Sequence, residues 1–139
     1  MSEESTTPDP EEAFGRLREA VNHRDFEAAA AMFAPDAVWA TSGFEGAFEG
    51  REAIRGLLES WIAPYEDYEL VLEEFRDLGN GVMLADVLWR GRPTGSSVFV
   101  EARQAFVSIV RDGVVERGAS NTDRDQARAD AERLAEERG

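Results

Sequence analysis

The hydrophobic period of this chain changes once, at Pro64, and that change limits the folds open to it. Before Pro64 the apolar residues recur at helical spacing: Phe14, Leu17 and Val21, then Phe26, Ala29, Ala30 and Phe33, then Ile54, Leu57, Leu58 and Trp61. After it they alternate, and the punctuation is that of tight turns: Gly79-Asn80-Gly81, Pro93-Thr94-Gly95-Ser96 and Asp112-Gly113. The first half reads as a helix from Pro10, then a helix capped by Asp25 and stopped by Ala34-Pro35-Asp36. A short strand at Ala37-Val38-Trp39-Ala40, a glycine-punctuated turn or hairpin from Gly43 to Gly50, and a third helix from Arg51 follow. The second half reads as strands over 67–77, 82–92, 98–111 and 114–121. Helices first and an antiparallel meander second make an α+β fold, with helices on one face of the sheet.

One domain accounts for the 139 residues. The division is an acidic tail over 1–11, the domain over 12–122, and a helix over 123–139. That last helix is almost wholly polar, with Leu134 and several alanines as its apolar residues, and is expected to dock lightly. The strands carry a second message. Leu84 and Leu88 point one way while Met83, Ala85, Val87 and Trp89 point the other. Val100, Ala102 and Phe106 likewise oppose Phe99, Ala105, Val107 and Ile109. Three short helices cover only one apolar face, so the other is expected to meet a second subunit near Trp89, Val87 and Val107. The alternative is a sheet curled tightly enough to bury both faces itself.

Missing residue types narrow the chemistry. There is no Cys, the one histidine is His23, and all 15 basic residues are arginine. Thiolate chemistry and Schiff-base lysines are therefore out of reach, and a metal site would need carboxylates. A net charge of −14, from 29 acidic residues, disfavours nucleic acid and anionic membrane surfaces as partners. No phosphate loop or dinucleotide fingerprint appears, so nucleotide binding has no support; no cofactor and no metal are expected. The residues MSEESTTPDPEE lack the basic and apolar regions of a secretory signal, and no apolar run is long enough for a membrane span. A cytoplasmic location is expected.

Several segments together resemble the SnoaL-like branch of the nuclear transport factor 2-like superfamily. They are Val21-Asn22-His23-Arg24-Asp25-Phe26, Met32-Phe33-Ala34-Pro35-Asp36-Ala37-Val38-Trp39, Gly46 to Arg55, Arg111-Asp112-Gly113-Val114-Val115-Glu116-Arg117, and Thr122 to Ala129. Their order and spacing carry the resemblance, since each segment alone is partly turn and cap chemistry. It implies a cone-shaped, cystatin-like architecture: a curved antiparallel sheet wrapped around the N-terminal helix, three helices on its concave side, and an apolar pocket between them. It implies a homodimer often, and no single activity, because this fold hosts isomerases, cyclases, hydrolases, dehydratases and binders.

The resemblance carries the catalytic positions of three related enzyme types onto residues of this chain. The Tyr, Asp and Asp of ketosteroid isomerases fall on Leu17, Thr41 and Gln104, leaving Gln104 as a hydrogen-bond donor to a carbonyl. The Arg and two Asp of limonene-epoxide-hydrolase-like enzymes fall on Leu84, Asp86 and Ser120. The His of SnoaL-type cyclases has no counterpart, and their Asp falls on Asp123 or is lost; Asp123 is better explained as a helix cap.

Asp86 is the most informative of these. Between Leu84 and Leu88, it is either a desolvated acid or base in the cavity or the partner of an arginine such as Arg90 or Arg103. The candidate catalytic set is Asp86, Gln104 and Ser120. The candidate pocket is Leu17, Trp39, Phe44, Leu58, Trp61, Tyr65, Leu84 and Phe106. A cofactor-free enzyme acting on a small apolar molecule, a non-catalytic binder of one, and a dimeric interaction module with a self-filled pocket all fit this set.

Overall fold

The computed structural model describes residues 10–41 and 46–138. Its elements are α1 (Pro10–Asn22), α2 (Phe26–Ala31), β1 (Phe33–Thr41), β2 (Ala47–Glu49) and α3 (Arg51–Ile62). They continue with β3 (Tyr65–Gly79), β4 (Val82–Pro93), β5 (Val100–Arg111), β6 (Val114–Asn121) and α4 (Arg124–Arg138). The tail expected over 1–11 falls largely outside the described residues.

Local chemistry sets most boundaries. Asp25 caps α2 by accepting the Ala28 N–H at 3.1 Å, and Asp123 caps α4 by accepting the Gln126 N–H at 3.0 Å. Asn80 and Asp112 take left-handed φ values of 57° and 54°, each followed by glycine, and close the β3–β4 and β5–β6 hairpins. The start of β1 differs from the sequence expectation. The Val115 N–H donates to the Met32 carbonyl at 2.8 Å, so the chain turns extended at Phe33, ahead of Pro35. The ladder with β6 then shifts between Phe33 and Val38, accommodating a proline that has no N–H to give.

The six strands form a curved, unclosed sheet in the order β2-β1-β6-β5-β4-β3. Every pairing is antiparallel except β1 with β6, which is parallel. Irregularities in the β3–β4 ladder, including one between Leu72 and Glu74, add bend to the long outer hairpin. On the concave side, Val21, Ala29, Phe33, Trp39, Ile54, Leu57, Ile62 and Val115 form one buried cluster. Phe14, Leu70, Ala85 and Val87 form another beside it.

The convex side is covered by α4. Ala127, Ala131 and Ala135, four residues apart, lie buried against Val82, Leu84, Ala105, Val107 and Ile109. Methyl-sized side chains let the helix approach the sheet closely. Its end is tied down as well: Asn80 Nδ2 donates to the Ala135 carbonyl and Arg138 Nε to the Asn80 carbonyl, both at 2.8 Å. The expected subunit contact is thereby corrected in its residues. Val87 and Trp89 face the concave side, and Val107 lies beneath α4. Among the described residues, no helix is long and apolar enough to cross a membrane.

One side chain fastens α1 to the sheet. Asn22 Nδ2 donates to the Leu70 carbonyl at 3.1 Å, and its Oδ1 accepts the Leu70 N–H at 2.8 Å. The amide thus pairs with β3 as another strand residue would. Asn22→Ala strips partners from both half-buried groups and is expected to cost about 1–3 kcal/mol in urea unfolding. An unchanged unfolding midpoint would show that this bracket does not hold the helix.

Candidate functional site

Between α1, α3 and the concave face of the sheet lies a cavity of about 290 Å³. Helix α1 supplies Phe14, Leu17 and Val21, its one apolar stripe, and α3 supplies Ile54, Leu57, Leu58 and Trp61. From the sheet come Phe33 and Trp39 of β1, Tyr65, Tyr68 and Leu70 of β3, Met83 and Trp89 of β4, and Val115 of β6. Strand β5 contributes every second residue from Ala102 to Ser108, as its pleat requires.

Two glycines shape the walls. Gly118 is the register partner of Trp39, and a Cβ at Gly118 would stand 2.2 Å from Trp39 Cζ3. Only a bare backbone lets that indole lie across β6. So placed, Trp39 meets Phe33 and Phe106 edge-on, at ring separations of 5.9 Å and 5.7 Å. Gly91 admits the Tyr65 ring in the same way, with 2.8 Å between a virtual Cβ and Tyr65 Cδ1. Tyr65 and Tyr68 then pack edge-on against Trp89, at 4.7 Å and 5.8 Å.

The structure brings together Leu17, Trp39, Leu58, Trp61, Tyr65, Gln104 and Phe106 of the expected set. Phe44 lies outside the described residues. The other three are placed elsewhere. Leu84 is on the convex face, buried beneath α4. Asp86 shares that face, half-buried between its register neighbours Glu74 and Ala105. Neither arginine proposed for it is its partner, because Arg90 pairs with Glu101 at 3.2 Å and Arg103 with Glu73 at 3.0 Å. Ser120 is buried next to Phe106 in register, and its hydroxyl donates weakly to Thr41 Oγ1 at 3.5 Å rather than lining the cavity.

The cause of the Leu84 and Asp86 displacement is the pleat. Met83, Ala85, Val87 and Trp89 form the concave face of β4, and both faces are apolar in sequence because α4 needs the other one. Residues the sequence reading passed over include Phe14, Phe33, Met83 and Ser108. Ser108 had a signal, since period two from Gln104 through Phe106 puts it on the same face.

A SnoaL-like domain profile matches residues 14–117. The chain belongs to the SnoaL-like family. No curated protein sequence matches it. Solved structures agree with the fold of this SnoaL-like protein at low identity. One is a protein from Catenulispora acidiphila with a ketosteroid isomerase-like fold, solved in complex with trimethylamine. It is 17% identical, with a TM-score of 0.70 over 83% of this chain and 85% of its own. Another is a Mycobacterium tuberculosis protein in complex with estradiol-17beta-hemisuccinate, 19% identical, with a TM-score of 0.67 over 78% of this chain and 88% of its own. A SnoaL-like polyketide cyclase (so described) from Shewanella putrefaciens is 10% identical, with a TM-score of 0.68 over 91% and 98% of the two chains.

Among the described lining residues of this SnoaL-like protein there is no Asp, Glu, Arg or His. The residues with polar side-chain groups among the lining are Gln104, Ser108, Tyr65, Tyr68 and the three tryptophans. Burial pushes the Tyr68 pKa well above the usual tyrosine value, offset in part by the Trp89 indole N–H beside its oxygen. Tyr68 is therefore a neutral donor, not a base. Because its folded pKa is the higher one, the unfolded chain gives up this proton first, near pH 10. The native state then holds one more proton, so stability falls as pH rises above that point. The slope is expected to approach about 1.4 kcal/mol per pH unit. Urea unfolding between pH 8 and pH 11 should show this decline in the parent protein and a shallower one in Tyr68→Phe. Equal slopes would remove Tyr68 as its source.

Proposed function

We propose that this SnoaL-like protein binds a small, uncharged, mainly hydrocarbon molecule in its cavity and performs no acid–base chemistry on it. The observation that carries the reading is the lining: walls of aliphatic and aromatic side chains with no carboxylate, imidazole or guanidinium among the described residues. General acid–base catalysis needs a group that titrates near the working pH, and Tyr68 is held protonated far above it. Asp86, the acid or base expected from sequence, is on the opposite face of β4, and the Ser120 hydroxyl is directed to Thr41. Gln104 remains as the group that orients the ligand.

An ionised ligand would lose its hydration in this cavity and gain no counter-charge, which favours neutral molecules. Two solved neighbours hold small ligands, trimethylamine in one and estradiol-17beta-hemisuccinate in the other. They support small-molecule binding as the use of such a cavity, and their chemistry differs too much for either ligand to be transferred. The homodimer expected from the second apolar face has no part in this reading, since α4 covers much of that face.

Titration calorimetry with matched pairs, a neutral alcohol or methyl ester against the carboxylate of the same skeleton, tests the proposal. The neutral member is expected to bind at least tenfold more tightly, and comparable binding of the carboxylate would overturn it. Asp86→Asn should leave the neutral ligand's affinity within twofold, whereas a large loss would return Asp86 to the site. Gly118→Ala drives the Trp39 ring from β6, and is expected to cost about 1–3 kcal/mol of stability and most of the binding.

A further inference from the structure

Two polar side chains in the cavity have no hydrogen-bond partner among the described residues. Gln104 and Ser108 both line it from β5, and no hydrogen bond joins either side chain to another described residue. Ser108 is only 8% exposed. An unspent hydroxyl in so apolar a setting is costly unless something satisfies it. The two residues are four apart on one strand face, which separates their Cα atoms by about 13 Å. Phe106 stands between them on the same face.

Their surroundings differ. The row across the sheet at Ser108 runs through Met83 on one side and Gly118 with Trp39 on the other, all apolar contacts for a ligand. The Trp39 indole N–H in that row is buried with no partner among the described residues. Gln104 sits two rows nearer the end where Tyr65, Tyr68 and Trp89 cluster. The cavity is thus an apolar channel with an unspent amide toward one end, an unspent hydroxyl toward the other, and an aromatic ring between.

Building on the binding role proposed above, we infer that Ser108 is a specificity-determining residue for an elongated neutral ligand with a hydrogen-bonding group at each end. Gln104 meets one end, Ser108 the other, and Phe106 packs on the hydrocarbon middle. A ligand lacking the second group leaves the Ser108 hydroxyl unpaired, and that loss is the basis of selection.

The test uses 4,4′-dihydroxybiphenyl, 4-hydroxybiphenyl and biphenyl-4-carboxylate as calorimetric probes. The parent protein is expected to bind the diol at least about fivefold more tightly than the mono-alcohol. Ser108→Ala should bring the two within twofold while its ligand-free melting temperature stays level or rises, because no protein hydrogen bond is lost. Ser108→Thr, which keeps the hydroxyl, should retain the preference and guards against a folding artefact in the alanine variant. A preference that survives in Ser108→Ala, or is absent from the parent, overturns the role of Ser108. If the mono-alcohol still binds and the carboxylate does not, the neutral-ligand reading stands without it. If none of the probes binds the parent protein, both fall together.

Discussion

Trp39 rests on β6 at a point where no side chain stands, and the interior is arranged around that contact. The ring reaches across Gly118 and presents its faces and edges to Phe33 and Phe106. It lies in one buried cluster with Ile54, Leu57, Leu58 and Ile62 of α3. Were the ring to stand upright, it would occupy the volume that the cavity now encloses. A missing methyl group on β6 is therefore a condition for an open interior, and the rest of the lining is built on top of it.

The sheet is asked to bury both faces of its central strands, and it does so by two different means. On the concave side large side chains meet helices at a distance and leave space between. On the convex side α4 lies close, because its fully covered residues are Ala127, Ala131 and Ala135, with Leu134 packing at the margin. Space and contact are thus separated by side-chain size. Binding chemistry can exist only on the side where the large residues hold the layers apart.

This arrangement explains what the sequence could reveal. The element order, the Asp25 and Asp123 caps and the hairpin turns follow from local chemistry, which the residues themselves display. Leu17, Trp39, Leu58, Trp61 and Phe106 lie on stripes or alternations whose inner side is unambiguous, so they were readable as cavity residues. Leu84 and Asp86 were not, because the β4 strand is apolar on both faces and its concave side is decided by curvature. The cover for the convex face was hidden as well: three alanines in a segment dense with charge make a weak amphipathic signal, although they bury fully. Phe33 was misread for a tertiary reason, since the N–H that ends α2's influence belongs to Val115, far along the chain.

The three tryptophans of the sequence, Trp39, Trp61 and Trp89, all line the cavity. That concentration has an optical consequence. The ultraviolet emission of this protein comes from the concave compartment alone, while the layer formed by α4 and the convex strands contributes none of it. An emission spectrum therefore reports the polarity and crowding of the cavity, and circular dichroism reports the helices on both sides. Unwinding of α4 would appear in the second signal and be silent in the first, so the two spectroscopies together resolve the molecule into its hollow half and its solid half.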